Sequence, residues 1–292
     1  MSLKIVVLAK QVPDTRNVGK DAMKADGTIN RAALPAIFNP EDLNALEQAL
    51  RLKDTHPGST VTILTMGPGR AADIIREGLF RGADNGYLLT DRAFAGADTL
   101  ATSYALATAI KKIGECDIII GGRQAIDGDT AQVGPQVAEK LGLTQVTYAE
   151  EIEKVDGAAK RITVKRHIDG GVETVEGPLP IVITVNGSAA PCRPRNAKLV
   201  QKYKHAKTVT EKQQGNLDYT DLYDTRDYLN LVEWSVSDVN GDTAQCGLSG
   251  SPTKVKAIQN IVFQAKESKT LSSADRDVED LIVELLANHT IG

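Results

Sequence analysis

The chain has 292 residues, 41% hydrophobic and 25% charged, with a formal net charge of −4 and only 4% aromatics. That is about two domains' worth of sequence. It has neither the basic balance nor the stacking aromatics of a nucleic-acid surface. Cys116, Cys192 and Cys246 are too far apart for a metal-binding spacing and read as reduced thiols. The first apolar run, Leu3–Ala9, is too short for a secretory signal or a membrane span. The expectation is a soluble cytoplasmic protein with no membrane insertion, no metal site and no nucleic-acid partner.

Leu3–Ala9 reads as a strand buried on both faces. A polar excursion follows from Gln11 to Arg31. Asn39-Pro40-Glu41-Asp42 opens a helix, with Asn39 as N-cap, Pro40 at the first helical position and two acids in the first turn. Leu43, Leu46 and Leu50 mark its buried stripe, and His56-Pro57-Gly58-Ser59 ends it. Thr60–Met66 is the next strand and Gly67-Pro68-Gly69 its turn. Ala71–Arg81 is a helix stopped at Gly82, and Gly86–Leu89 a short strand. Asp98 caps a helix running to Ile113. Cys116–Gly121 is a further buried strand, followed by a glycine-rich turn. The helical pattern of Val133, Val137 and Leu141 then stops at Gly142.

Four βα units in about 140 residues imply a parallel sheet with right-handed crossovers. From about Val146 the texture changes. Glu150–Val155, Arg161–His167 and Val172–Glu176 are alternating runs that read as an antiparallel meander. Ile181–Val185 returns to an apolar strand. The expected boundary lies near residue 190, between an α/β domain at 1–190 and a polar, basic arm at 191–292. That arm shows no strong period until the amphipathic helix of Val278, Leu281, Ile282, Leu285 and Leu286.

The informative stretch is Gly121–Pro135, where strand, glycine-rich turn and helix follow one another. In an open α/β sheet, ligands bind outside the carboxyl ends of the strands, and phosphates bind at helix N-termini. Four such ends should converge: Leu8-Ala9-Lys10, Met66-Gly67-Pro68-Gly69, Gly96–Thr102 and Gly121–Gln132. Their small and polar residues let a ligand approach the backbone. An Asp-Gly-Asp alone is an ordinary turn; the convergence of loops argues for one site of adenine-nucleotide size. Thr99, Thr102 and Thr130 supply donors to a pyrophosphate. Arg123 neutralises phosphate or bonds a flavin carbonyl. Gln124 and Gln132 are neutral donors. Asp127 and Asp129 shape the turn, cap the helix or hold ribose hydroxyls, since like charges repel. Asn39 bonds adenine or caps its helix. Pro40, Asp42, Asp98, Gly122, Ala125, Gly128, Ala131 and Gly134 complete the candidate lining. Pro135, read as lying beyond the first turn, is expected to cost one helical hydrogen bond. His56, His167, His205 and His289 fit no triad spacing, and the chain has no nucleophile elbow, Walker lysine loop or zinc-protease motif. No catalytic residue is assigned, so any chemistry is a cofactor's.

Asn39-Pro40, Met66-Gly67-Pro68, Gly122–Asp127, Val164–Glu173 and Pro180–Thr184 together resemble the β-subunits of electron transfer flavoproteins, over roughly residues 1–210 and weakly over the terminal helix. The resemblance implies a Rossmann-like fold of the adenine nucleotide α-hydrolase-like kind, and an α-subunit that carries a redox flavin. Ordinary members hold AMP in the β pocket; electron-bifurcating members hold FAD. Thr90–Ser103 and Asp127–Pro135 are similar to the bifurcating pattern, as is Gly250-Ser251-Pro252-Thr253. In that group Thr99 and Thr102 would lie on the FAD pyrophosphate. NADH would be the donor, and electrons would divide between the α-subunit flavin with its dehydrogenase, such as an acyl-CoA dehydrogenase, and ferredoxin or flavodoxin. Pro194–Leu199 resembles the family's recognition loop, which makes Arg195 and Leu199 partner-binding candidates. Lys198, Lys202, Lys204 and Lys207 form a basic face there. Residues 216–249 look longer than in the relatives. A competing class is an ATP-binding regulatory domain or ATP pyrophosphatase relative, against which stands the lack of a Ser-Gly-Gly-x-Asp-Ser loop after the first strand.

Overall fold

A strand covered on both faces has no solvent side, so it is apolar throughout, and its residues alternate between two cores. The computed structural model describes residues 1–14, 35–215, 219–253, 268, 270–288 and 290–291. In it β1 (Lys4–Leu8) sends Ile5 and Val7 into one core and Val6 and Leu8 into the other. A short antiparallel pair follows, β2 (Gln11–Pro13) with β3 (Ala36–Phe38). The rest of the polar excursion, residues 15–31, lies outside the described residues, as do residues 216–218 and His289.

The βα units are α1 (Pro40–Thr55), β4 (Thr60–Met66), α2 (Ala72–Arg81), β5 (Asn85–Leu89), α3 (Thr99–Ile113), β6 (Ile118–Gly122) and α4 (Val133–Leu141). Leu46 and Leu50 of α1 and Ile74, Ile75 and Leu79 of α2 fill the first core. Leu106 and Ile110 of α3 and Val137 of α4 fill the second, on the other face of the sheet. Helix α4 stops at Gly142, whose φ of 65° is the left-handed conformation a glycine takes without steric cost. Pro135 costs no helical bond. It is the third residue of α4, inside the first turn, where N–H groups have no intrahelical acceptor.

Next come β7 (Thr144–Asp156), β8 (Arg161–Ile168), β9 (Gly171–Pro178) and β10 (Ile181–Val185). The meander begins six residues earlier than its alternation indicates. The first part of β7 pairs parallel with β10, and from Ala149 onward the strand pairs antiparallel with β8, with a register shift between Ala149 and Glu151. Beyond β10 lie α5 (Ala197–Tyr203), β11 (Lys207–Thr208), α6 (Val209–Gln214), α7 (Asp221–Thr225) and β12 (Asn230–Trp234). The ten-stranded sheet has the order β11-β12-β5-β4-β1-β6-β10-β7-β8-β9, parallel from β11 to β7 and antiparallel at β8 and β9. This is an α/β fold built on a large, mostly parallel sheet. Strand β12 has no clear period in sequence because only Leu231 of its five residues is buried.

The chain divides into two compact units, Met1–Lys256 and Ala257–Gly292. The second unit contains α8 (Asp275–Ala287), which leaves Val278, Ile282, Val283 and Leu286 exposed. Among the described residues no helix is long and apolar enough to cross a membrane.

Candidate functional site

The chain leaves β1 towards β4 and β6 towards β10, so the strand order reverses between β1 and β6. A crevice opens at such a reversal, outside the carboxyl ends of the strands. The start of α1 is wedged there and holds both sides. Asp42 accepts the Lys10 N–H through one oxygen and the Gly122 N–H through the other, each at 2.8 Å. Glu41 accepts the Gln124 N–H at 2.8 Å and the Arg123 guanidinium at 3.2 Å. Asn39, fully buried, donates to the Gln124 carbonyl at 2.8 Å and accepts the Ile126 N–H at 3.2 Å. Its side chain therefore does not cap α1, contrary to the sequence expectation; no side-chain cap bond forms there. The amide is spent on the Gln124 carbonyl and Ile126 N–H because these backbone groups lie beyond the β6 ladder. Gly122 has no room for a side chain, since a Cβ would lie 2.5 Å from Asp42 Oδ1.

Beyond that loop the backbone turns sharply. Gly128 and Asp129 both donate to the Ala125 carbonyl, at 3.2 and 2.9 Å. Asp129 and Ala131 then take positive φ values of 49° and 51°. Among the described residues, no acceptor meets the N–H groups of Thr130, Ala131 or Gln132. Successive free N–H groups around left-handed residues form a concavity that favours anions. The first turn of α4 follows directly, adding its own unpaired N–H groups and the positive end of its dipole.

The start of α3 stands beside this turn. Thr99 Oγ1 donates to Gln132 Oε1 at 2.8 Å, and Gln136 Nε2 approaches Thr99 Oγ1 at 3.4 Å. Asp98 caps α3 by accepting the Leu100 and Ala101 N–H groups. Among the described residues, Gln136 Oε1 and Arg123 Nε are buried without a hydrogen-bond partner.

The charges in the crevice are arranged in pairs. Lys10 Nζ meets Asp127 Oδ1 at 2.7 Å. Asp129 Oδ1 is occupied by Gln124 Nε2 at 2.9 Å. Thus both acids of the Asp-Gly-Asp turn have protein partners. Arg123 lies 5.3 Å from the Tyr148 ring centre. Burial opposes its charge, but bonds to Tyr148 and Glu41 hold its guanidinium above the ordinary value. Asp42 is the opposite case. Burial pushes its carboxyl up to about 7, against the lowering effect of the Lys10 and Gly122 N–H groups.

The other candidates are placed as follows. Leu8 and Ala9 are buried below the crevice, and Ala9 N–H bonds the Leu64 carbonyl. Pro40 begins α1. Met66 packs on the second core, and Gly67 N–H is taken by the Leu89 carbonyl. Thr102 lies in the first turn of α3, partly exposed. A Cβ on Gly134 would lie 2.3 Å from Thr184 Cγ2, so its glycine is needed to seat α4 on β10. Arg195 pairs with Glu77, and Leu199 packs partly buried on the first core. Four residues carry no signal of this role in the sequence: Ile126, which acts through its backbone, Tyr148, which has a φ of 59°, and Ser251 and Thr253, which reach Asp98 from far along the chain. Glu41 had a visible role only as a dipole complement.

Residues 26–213 match the sequence pattern of the Electron transfer flavoprotein domain family. The chain belongs to the electron transfer flavoprotein family. Among the relatives of this flavoprotein chain is "Electron transfer flavoprotein subunit beta" of Megasphaera elsdenii, 41% identical, with 97% of this chain and 99% of the relative covered. "Protein FixA" of Azorhizobium caulinodans is 44% identical over 96% of this chain and 92% of the relative. "Caffeyl-CoA reductase-Etf complex subunit CarD" of Acetobacterium woodii is 41% identical over 87% of this chain and 86% of the relative.

Proposed function

We propose that this chain is the β-subunit of a heterodimeric electron transfer flavoprotein of the electron-bifurcating kind, with FAD held in the crevice between β1 and β6. The observation that carries the reading is the run of free N–H groups at Thr130, Ala131 and Gln132, tied to the start of α3 through Thr99. These N–H groups, Thr99, Thr102 and the α4 N-terminus hold the pyrophosphate. Arg123, whose side chain is partly exposed, addresses the remaining polar edge of the cofactor through its guanidinium. Asn39, Glu41 and Asp42 do not bind the ligand; they hold the 122–126 loop at the height the ligand requires. Bound there, FAD supplies the two-electron chemistry that takes a hydride from NADH and passes single electrons to the α-subunit's flavin and dehydrogenase and to ferredoxin or flavodoxin.

The names of the relatives support the division of labour. One is a β-subunit, and one belongs to a complex with a caffeyl-CoA reductase. We therefore assign 1–190 to cofactor binding. Residues 191–292 form a recognition loop and arm for the α-subunit, with Arg195 and Leu199 meeting the dehydrogenase. The exposed apolar side chains of α8 support a protein partner for that arm. The three free cysteines fit the reducing cytoplasm, where we place the heterodimer.

The test is to coexpress the chain with its α-subunit, release the bound nucleotides and count them. The expected content is two FAD per heterodimer. One FAD plus one AMP would replace this reading with that of an ordinary β-subunit in which the nucleotide is structural. No nucleotide beyond the α-subunit's flavin would remove the site altogether.

A further inference from the structure

The start of α3 is fixed from a place far along the chain. Asp98 Oδ1 accepts the N–H groups of Leu100 and Ala101, as an N-cap does. Its other oxygen accepts the Thr253 hydroxyl at 2.6 Å and the Thr253 N–H at 3.1 Å, across 155 residues. The Asp98 N–H donates to Ser251 Oγ at 2.8 Å, and the buried Ser251 hydroxyl donates in turn to the Gly247 carbonyl at 2.6 Å. The surrounding backbone is fitted closely. A Cβ on Gly247 would lie 2.2 Å from the Ala93 carbonyl oxygen, and one on Gly96 would meet Leu248 at 2.7 Å. Although burial opposes it, the bonds from Thr253, Ala101 and Leu100 hold the Asp98 carboxyl below its usual range. Four donors therefore converge on one carboxylate, and only two come from its own helix.

A cap bonded by its own helix alone fixes the helix end but not where that end stands. The Thr253 and Ser251 contacts fix Asp98 relative to the rest of the fold. Thr99, the next residue, is the one that reaches across to Gln132 in the free N–H turn. We propose that Thr253, supported by Ser251, is a positioning residue for phosphate recognition: it sets Asp98, and through it the first turn of α3, against the 130–132 turn so that both address one anion. This deepens the nucleotide reading above and rests on it. A misplacement of about 1 Å at the helix end would spoil a shared anion contact while leaving the adenosine part of the site alone.

The experiment uses the full-length heterodimer stripped of its β-site nucleotide. FAD, AMP and adenosine are titrated calorimetrically into wild type, Thr253→Val, Thr253→Ser and Ser251→Ala. Thr253→Val keeps the shape and loses the donor to a charged acceptor, so FAD and AMP should bind about tenfold more weakly, with adenosine changed less than about twofold. Thr253→Ser should restore wild-type affinity. Ser251→Ala should follow Thr253→Val in direction, and it decides the matter if Thr253→Val does not assemble. Unchanged FAD and AMP affinity, or an equal loss for adenosine, overturns the positioning role while leaving the nucleotide site standing. A wild-type heterodimer that binds none of the three overturns the site itself.

Discussion

Lys10 Nζ lies 2.7 Å from one oxygen of Asp127 and 2.9 Å from the other, so a carboxylate from the loop after β6 closes over the end of β1. The lysine is about half exposed and the aspartate one-fifth. Such a pair contributes about 0–1 kcal/mol. Its larger effect is on the field, because it neutralises a lysine at the mouth of the crevice that would otherwise draw an anion. Asp127→Asn should therefore shift urea-unfolding stability by less than about 1 kcal/mol. It should speed FAD association at low salt, with the gain vanishing at high salt. Stopped-flow association at graded ionic strength reads this directly; a gain that persists in high salt would mean the effect is not electrostatic.

Asp42 gives a pH dependence of defined sign. Its carboxyl titrates at 3.8 ordinarily and at about 7 when buried in the fold. Between those values the folded chain holds a proton that the unfolded chain has released, so this group's contribution is full below about pH 4 and lost as pH rises through 7. Asp42→Asn removes that part of the slope. It also turns an amide NH2 towards one of two N–H donors, at a cost of about 1–3 kcal/mol. Denaturant unfolding of both chains from about pH 4 to pH 8 is the measurement, and parallel curves would show that Asp42 does not titrate in this window.

The elements that position the site were legible where local physics decides them. Leu3–Ala9 and Ile181–Val185 are mostly apolar because helices cover both faces, and this pattern needs no knowledge of their neighbours. The Asp98 cap and the Gly142 stop are equally local. Asn39 was ambiguous for a physical reason. The same short amide serves a cap or a distant backbone, and only the approach of Gln124 and Ile126 decides between them. Tyr148 beside Arg123, and Thr253 on Asp98, depend on contacts between residues far apart in the chain, which no spacing encodes. Strand β12, second from one edge of the sheet, buries only Leu231 of its five residues and so has no period to read.

Two glycines of the same loop region separate packing from conformation. A Cβ on Gly134 would stand 2.3 Å from Thr184 Cγ2, while one on Gly128 meets nothing within 4 Å. Gly134→Ala must push α4 away from β10, and should destabilise by about 1–3 kcal/mol. Gly128→Ala should stay within about 0.5 kcal/mol. Thermal unfolding of the two variants gives the comparison. Equal shifts would mean that α4 has slack against the sheet that this contact does not allow.

Ala131 tests the anion turn most sharply. Its φ of 51° is left-handed, and its N–H has no acceptor among the described residues. Proline cannot take that conformation and has no N–H to give. Glycine takes it freely and keeps the N–H. If the free N–H groups hold the phosphate, Ala131→Pro should weaken FAD binding by more than about tenfold, whereas Ala131→Gly should stay within about twofold. Among the described residues the native N–H has no acceptor, so the proline variant breaks no hydrogen bond there and acts by changing φ at the turn. Calorimetric titration of FAD into the stripped heterodimer, with a melting curve beside it, separates the two effects. An Ala131→Pro chain that binds FAD as well as wild type would move the phosphate away from this turn, leaving Thr99, Thr102 and the α4 N-terminus to hold it.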